Sequence, residues 1–369
     1  MIIGIDASRA NQTERTGTEW YSYILLKKFA ELDQKNQFRL YVKNPPSEDL
    51  LHFGDNFQVK KLGWPISRLW HQGRLSLEMM MKKPDVLFVP AHTIPLIHPE
   101  KTVTTCHDIG FEKFPELYSP AELKYHRWSM NFAIKNARKI ITVSEFSKQE
   151  IINTYKCKAG LIEVVYHGVN HDFFRTKGEQ ETADFLKTKQ LQQPYLFFVG
   201  RIEKKKNLVN QIRAFSQLKK LYQIPHQLLL GGNLGFGSDE IVREIARSDY
   251  QNDIKLIGYV KSEDLPFYYS GADVFMFATN YEGFGMPILE AQAAKTPVLA
   301  SRVCSIPEVA GQGASFVNPK EVASICQGVY QIISNRNYRN QLVEAGLANA
   351  RKFDWLKTAQ KTLSIIQNL

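Results

Sequence analysis

Residues 278–308, ATNYEGFGMPILEAQAAKTPVLASRVCSIPE, decide how this chain is read. Immediately before them, Ala272–Phe277 (ADVFMF) is a short and almost wholly apolar run, the pattern of a strand buried on both faces. Gly283 and Gly285 follow, then Pro287 and the helix formers Leu289 to Ala294. Proline is tolerated in a first helical turn, where its missing N–H would have no partner. The run reads strand, glycine-rich turn, helix, and it leaves N–H groups at a helix N-terminus, a ready site for an anion. Glu282 sits on the turn and Glu290 about two helical turns further on. Taken singly, Glu282 would pass as a helix cap and Glu290 as a solvated group. Yet Glu290 is set among Ile288, Leu289, Ala291, Ala293 and Ala294. An unpaired carboxylate is costly there, and a ligand hydroxyl is a natural partner.

Working outward, the second half of the chain repeats this theme. Tyr195–Val199 (YLFFV) reads as a buried strand ending at Gly200-Arg201, and IEKKKN (202–207) leads into a helix over Leu208–Leu221. Further strands are expected at Leu228–Leu230, Ile254–Ile257 and Pro297–Ala300. The first half opens with MIIGIDAS, a strand from the first residue, followed by a loop through Gly17 and a helix over Trp20–Leu32. Gly17, taken by itself, reads as an ordinary turn residue. Strands follow at Phe38–Val42, Phe57–Lys60, Asp85–Pro90, Thr102–Cys106, Lys139–Val143 and Ile162–Tyr166. Strand–helix alternation with short loops means parallel sheets wound on both sides.

Ligands bind beyond the carboxyl ends of such strands, which is where His92 and the pair His107-Asp108 fall. A lone His at such a position is more often structural. Ser144 is a suitable N-cap for a helix over Glu145–Tyr155. The segment Ile66–Lys83, with Trp64, Trp70, three Met and several basic residues, has helical period. Packing of its apolar face is the first reading, and contact with a membrane surface the second.

The chain has 369 residues, 44% hydrophobic and 23% charged, enough for two domains with proper cores. No apolar run approaches the roughly 18 residues of a membrane span, and MIIGIDASRA lacks the basic leader of a signal peptide. Cys106, Cys157, Cys304 and Cys326 have no paired spacing, so neither a zinc site nor a disulfide framework is suggested. A cytoplasmic protein with reduced thiols is expected. The net charge of +10 is spread over both halves, which argues against a nucleic-acid tail and allows loose attachment to an anionic leaflet.

Two Glu separated by seven residues within an EGFG-P-LE core resemble the donor-site signature of retaining glycosyltransferases of family 4. The resemblance extends along the chain. His107-Asp108 with Pro115-Glu116 is similar to the family's HD…PE segment, VSEFSKQE to its VSxxS segment, and FDW to the start of its C-terminal helix. HDIGFEKFPE resembles bacterial mannosyltransferases that build surface polysaccharides. Two departures stand out: Lys295 replaces a common Gly, and Ala278-Thr279 a common Pro-Ser.

The resemblance implies an α/β fold of the GT-B type, two Rossmann-like domains with parallel sheets facing across a cleft. Residues 1–172 would form the acceptor-side domain, 173–193 a linker and 194–352 the donor domain, with helix 353–369 packing back on the first domain. It also implies roles. Arg201 and Lys206 grip the donor diphosphate, Gly17 lies close to the phosphates and His107 near the transferred sugar. Glu282, Gly283, Phe284 and Gly285 hold that sugar, Glu290 the ribose, and Tyr259 and Val260 take the base. No metal and no cofactor is expected. The donor is a nucleotide-diphosphate sugar, GDP-mannose in preference to a UDP-sugar. The acceptor is a glycan or a polyprenyl-diphosphate-linked oligosaccharide, with peripheral membrane contact and no nucleic acid.

Three rivals are weighed. A GT-B epimerase or phosphorylase would lack the Glu282/Glu290 pair or need a cofactor lysine. A dinucleotide dehydrogenase needs GxGxxG after its first strand, and GIDASR lacks it. A non-catalytic nucleotide-sugar-binding protein would not need Arg201, Lys206 and both Glu intact.

Overall fold

The computed structural model describes residues 1–65 and 69–369. The chain divides into two compact units, one of Met1–Gly168 with Asp354–Leu369, the other of Val169–Phe353.

The first unit holds a seven-stranded sheet. Its strands are β1 (Ile2–Asp6), β2 (Gln37–Val42), β3 (Phe57–Lys61), β4 (Val86–Val89), β5 (Thr102–Cys106), β6 (Lys139–Thr142) and β7 (Ile162–Val164). They run parallel in the order β3-β2-β1-β4-β5-β6-β7. The order reverses between β1 and β4, which makes that point a crevice at the carboxyl ends of the strands. β1, β4 and β5 are buried almost throughout, as strands covered by helices on both faces must be.

The helix after β1 begins at Gly17 and runs to Leu32, three residues earlier than the apolar pattern suggests. A capping box starts it: Thr16 is the N-cap, and Glu19 reaches back to the Thr16 amide. The C-terminal helix Trp355–Gln367 belongs to this unit and packs on the helix Gly17–Leu32. Thr358 Oγ1 donates to the Tyr166 carbonyl at 2.8 Å and Gln367 Nε2 to Asp33 Oδ2 at 2.8 Å. A Cβ on Gly168 would stand 2.1 Å from the Trp355 amide nitrogen, so only glycine admits that backbone approach.

The expected helix over 66–83 is replaced by a more broken segment. Ile66–Arg68 lie outside the described residues. Leu69 then adopts φ +59°, His71–Leu75 form a π-turn, and Ser76–Lys82 an α-helix. The wide turn, closed by Leu75 N–H to the Trp70 carbonyl at 3.0 Å, keeps Trp70 and Leu75 on one buried face. Trp70 is therefore core, its Nε1 donating to the Leu62 carbonyl at 2.8 Å. The helix behind it exposes Leu77, Met80 and Met81.

The second unit holds a six-stranded parallel sheet: β8 (Tyr195–Val199), β9 (Gln227–Gly231), β10 (Ile254–Gly258), β11 (Val274–Phe277), β12 (Val298–Ser301) and β13 (Ala314–Val317). The order is β10-β9-β8-β11-β12-β13, reversing between β8 and β11. The edge strand β13 was not expected, because ASFV is short and carries only two large apolar residues. Residues 173–193, read from sequence as a linker, fall inside this unit. Their helix Glu179–Thr188 packs on Leu265–Gly271, with Phe185 stacked on Phe267. Two doubly wound parallel sheets match the expected α/β class. Among the described residues no helix is long and apolar enough to cross a membrane.

Candidate active site

The second unit builds its site at the reversal point of its sheet. The loop after β8 starts at Gly200, and the loop after β11 at Ala278. Since β8 and β11 pair directly, both loops emerge side by side from the carboxyl edge. Lys206 from the first loop and Glu282 from the second meet there, Nζ to Oε1 at 2.5 Å. Both are largely buried, and the Lys206 ammonium also lies over the Phe277 ring. Lysine has three N–H donors, so this pair leaves others for a ligand anion.

Two polar side chains fix the loops. Asn207, itself left-handed at φ +57°, donates from Nδ2 to the carbonyls of Ala278 and Pro319 at 2.9 and 2.7 Å. Ser305 donates its hydroxyl proton toward the carbonyls of Glu282 and Phe284, at 2.9 and 3.1 Å. The helix then starts at Met286, with Gly285 as N-cap at φ +102°, a backbone state that only glycine takes without strain. Gly283, Phe284 and Gly285 therefore form the turn at a helix N-terminus. Asn207 and Ser305 escaped the sequence reading, because one sits 71 residues from its partner carbonyl and the other 23.

Arg201 is two-thirds exposed, with Nε 3.8 Å from Glu203 Oε2. Its guanidinium is thus held only loosely. The ends of β8, β9 and β10 are drawn together by glycines. A Cβ on Gly232 would fall 1.9 Å from the Gly200 carbonyl oxygen, and the Gly232 amide donates to the Gly258 carbonyl at 2.6 Å. This contact brings Tyr259, exposed, and Val260, buried, beside the Gly231-Gly232 turn. The Gly-Gly doublet was visible in the sequence and passed over.

Glu290 lies on the helix that the turn begins. It is partly buried, and Tyr269 donates its hydroxyl to Glu290 Oε2 at 2.8 Å. Burial pushes the carboxyl up to about 7, while the Tyr269 bond opposes that rise. Tyr269 is fully buried among Phe174, Phe197 and Phe275, which fixes the direction of its hydroxyl.

The remaining two candidates belong to the first unit. Gly17 is the first residue of its helix and exposed. His107 follows β5 and is partly buried, its Nε2 donating to the Pro90 carbonyl at 3.1 Å. Its ring meets Tyr21 edge-on. Burial holds it below the usual imidazole range. His92 pairs with His126 at 3.2 Å, and burial with that neighbour pushes it down to about 3. His92 is thus engaged with a second imidazole. Among the described residues no three His, Cys, Asp or Glu side chains converge as a metal site.

Comparison with known proteins places these features in context. A family model described as glycosyl transferases group 1 matches residues 179–348, and one described as glycosyltransferase family 4 matches residues 16–173. The chain is 32% identical over 266 residues to O-antigen chain mannosyltransferase B of Escherichia coli, covering 72% of this chain and 70% of that one. It is 27% identical over 267 residues to O-antigen chain mannosyltransferase RfbU of Salmonella typhimurium, covering 72% and 69%. Among solved structures, sucrose-phosphate synthase from Thermosynechococcus elongatus superposes with a TM-score of 0.78 at 17% identity, over 100% of this chain and 98% of that one. WaaG, a glycosyltransferase involved in lipopolysaccharide biosynthesis, superposes with a TM-score of 0.77 at 12% identity, over 99% of each chain. The fold is thus GT-B.

Proposed function

The chain belongs to glycosyltransferase family 4, and from that membership we propose a retaining hexosyltransferase that moves mannose from a nucleotide-diphosphate sugar onto a hydroxyl of a glycan. GDP-mannose is the favoured donor, because the two O-antigen relatives are named as mannosyltransferases. A polyprenyl-diphosphate-linked oligosaccharide is the favoured acceptor, reached from the cytoplasmic side.

The observation that carries the reading is the Lys206–Glu282 pair at the sheet's reversal point, beside a turn that opens a helix. In glycosyl transfer the bond from the sugar's anomeric carbon to the β-phosphate oxygen breaks, and one to the acceptor oxygen forms. Negative charge builds on the leaving diphosphate, so fixed positive charge placed there lowers the barrier. Lys206, the loosely held Arg201 and the amides of the turn supply it without requiring a metal. The acceptor proton passes to the leaving phosphate on the same face, which retains configuration. Glu282 is tied to Lys206 and is assigned to hold the sugar, not to attack it. Glu290 accepts from the ribose hydroxyls, Tyr259 and Val260 face the base, and His107 is assigned to the transferred sugar.

Calorimetry with GDP, UDP and ADP, with and without EDTA, tests this. GDP is expected to bind equally in both buffers. Binding lost with EDTA removes the metal-free proposal, and binding of UDP alone replaces the donor.

A further inference from the structure

The first unit carries a polar constellation that no role above uses. Asp6 closes β1 at the reversal point of its sheet and is buried. Its Oδ2 receives Nε2–H of His71 at 2.8 Å, and its Oδ1 receives the Ser8 amide at 3.0 Å. Burial alone would raise the Asp6 carboxyl. The charge and hydrogen bond of His71, with the Ser8 bonds, outweigh it and hold the group below its usual range. An ionised Asp6 fixes the imidazole with its proton on Nε2. Nδ1 then points away from the carboxylate, on a side chain 28% exposed.

The segment that presents His71 is tied down by hydrogen bonds of Trp70, Gln72 and Ser76. Leu69 sits in the left-handed region, strained for a leucine, and a π-turn starts at His71 itself. Strain and π-turns of this kind gather at functional sites. Trp70 is anchored in the core through Nε1, and Ser76 Oγ donates to the His71 carbonyl at 3.1 Å. Gln72 accepts from the Tyr125 hydroxyl at 3.0 Å. One polar atom on the residue next to His71 is buried without a partner among the described residues, Gln72 Nε2. Buried polar atoms left so are uncommon and ask for a reason.

The chemistry selects the ligand class. A sugar hydroxyl is donor and acceptor at once, so it satisfies Nδ1 whether the imidazole is neutral or charged. A phosphate would need the charged form, and the nearby cations Lys60 and Arg74 are both committed to Glu78. We infer that Asp6 and His71, with Ser8 and Gln72 beside them, form a subsite for a hydroxyl of the acceptor glycan. His71 is a positioning residue for the acceptor, and Asp6 sets its tautomer. This rests on the reading of the second unit as the donor side.

The test uses octyl α-mannopyranoside as acceptor probe, followed by saturation-transfer NMR, with GDP calorimetry alongside. His71→Gln keeps an amide donor toward Asp6 and lacks an atom in place of Nδ1. His71→Asn supplies an amide group near Nδ1 and loses the Asp6 bond. The full chain is expected to bind the mannoside. His71→Gln should bind it about tenfold more weakly, the loss of one hydrogen bond, with GDP affinity and melting temperature kept. His71→Asn should recover part of the mannoside affinity. Equal mannoside affinity in His71→Gln, no mannoside signal from the wild-type chain, or a parallel loss of GDP binding overturns the subsite. Mannoside binding that depends on His71 in a chain that binds no nucleotide upholds the subsite and removes the donor reading instead.

Discussion

Glu282 and Glu290 face different partners, and their proposed tasks separate in kinetics. Ribose contacts change little between bound substrate and transition state, so Glu290→Ala should mainly raise the donor KM. The sugar gains oxocarbenium character as it leaves, so Glu282→Ala should lower kcat by about tenfold or more with a smaller change in KM. Equal, small effects from steady-state rates would mean that both carboxylates only support the turn. Glu290 also sets a pH dependence. Its folded-state carboxyl, near 7, is above its unfolded value. Its contribution to stability is therefore full at acid pH and lost as pH rises through about 7. In its proposed role Glu290 accepts from ribose best when ionised, so donor affinity should rise between pH 6 and 8. Tyr269→Phe removes the bond that opposes protonation, and should move that rise to higher pH in calorimetric titrations. An unmoved profile would show that Tyr269 does not act through Glu290.

At the scale of elements, runs such as YLFFV and VFMF are legible, because burial on both faces leaves no room for polar residues. The turn at Gly283–Gly285 and the helix after it were legible for a related reason: glycine and proline state backbone requirements directly. What escaped was set by tertiary packing. The π-turn at His71–Leu75 follows from the burial of Trp70 and Leu75 together, which no periodicity records. The meeting of Lys206 with Glu282 across 76 residues depends on strand order. The helix Pro120–Asn136 was passed over although Ser119-Pro120-Ala121-Glu122 carries its start signal in full. Ser119 Oγ receives the Glu122 amide at 3.3 Å, and Glu122 returns a bond to the Ser119 amide at 3.0 Å. Ser119→Ala should cost about 1 kcal/mol, or about 2–4 °C in the melting of a unit of this size. Calorimetric scans check it, and an unchanged melt would make the box dispensable.

At the scale of the whole molecule, charge and exposed apolar surface combine in the first unit. The helix Ser76–Lys82 buries Met79 and Glu78 but turns Leu77, Met80 and Met81 to solvent, with Lys82 and Lys83 at its end. Exposed methionines beside lysines suit the boundary of an anionic leaflet, where apolar side chains enter the headgroup region. Each nearby lysine adds about 1 kcal/mol of attraction. The buried Trp70 takes no part in such contact, so the face proposed for anchoring is the methionine pair and not the tryptophan suggested by composition. With a net charge of +10, the proposed attachment is reversible and sensitive to salt, since screening shortens the reach of each charge. Liposomes rich in anionic lipid should carry the chain upward in flotation at low salt and release it at about 0.5 M salt. Substituting Met80→Asp and Met81→Asp together should abolish flotation at low salt while leaving the melting temperature close to that of the wild-type chain, since both side chains are already exposed. If the double variant floats as well as the wild type, or the wild type stays in the soluble fraction at low salt, the acceptor is reached without this surface, and a soluble glycan becomes the better acceptor.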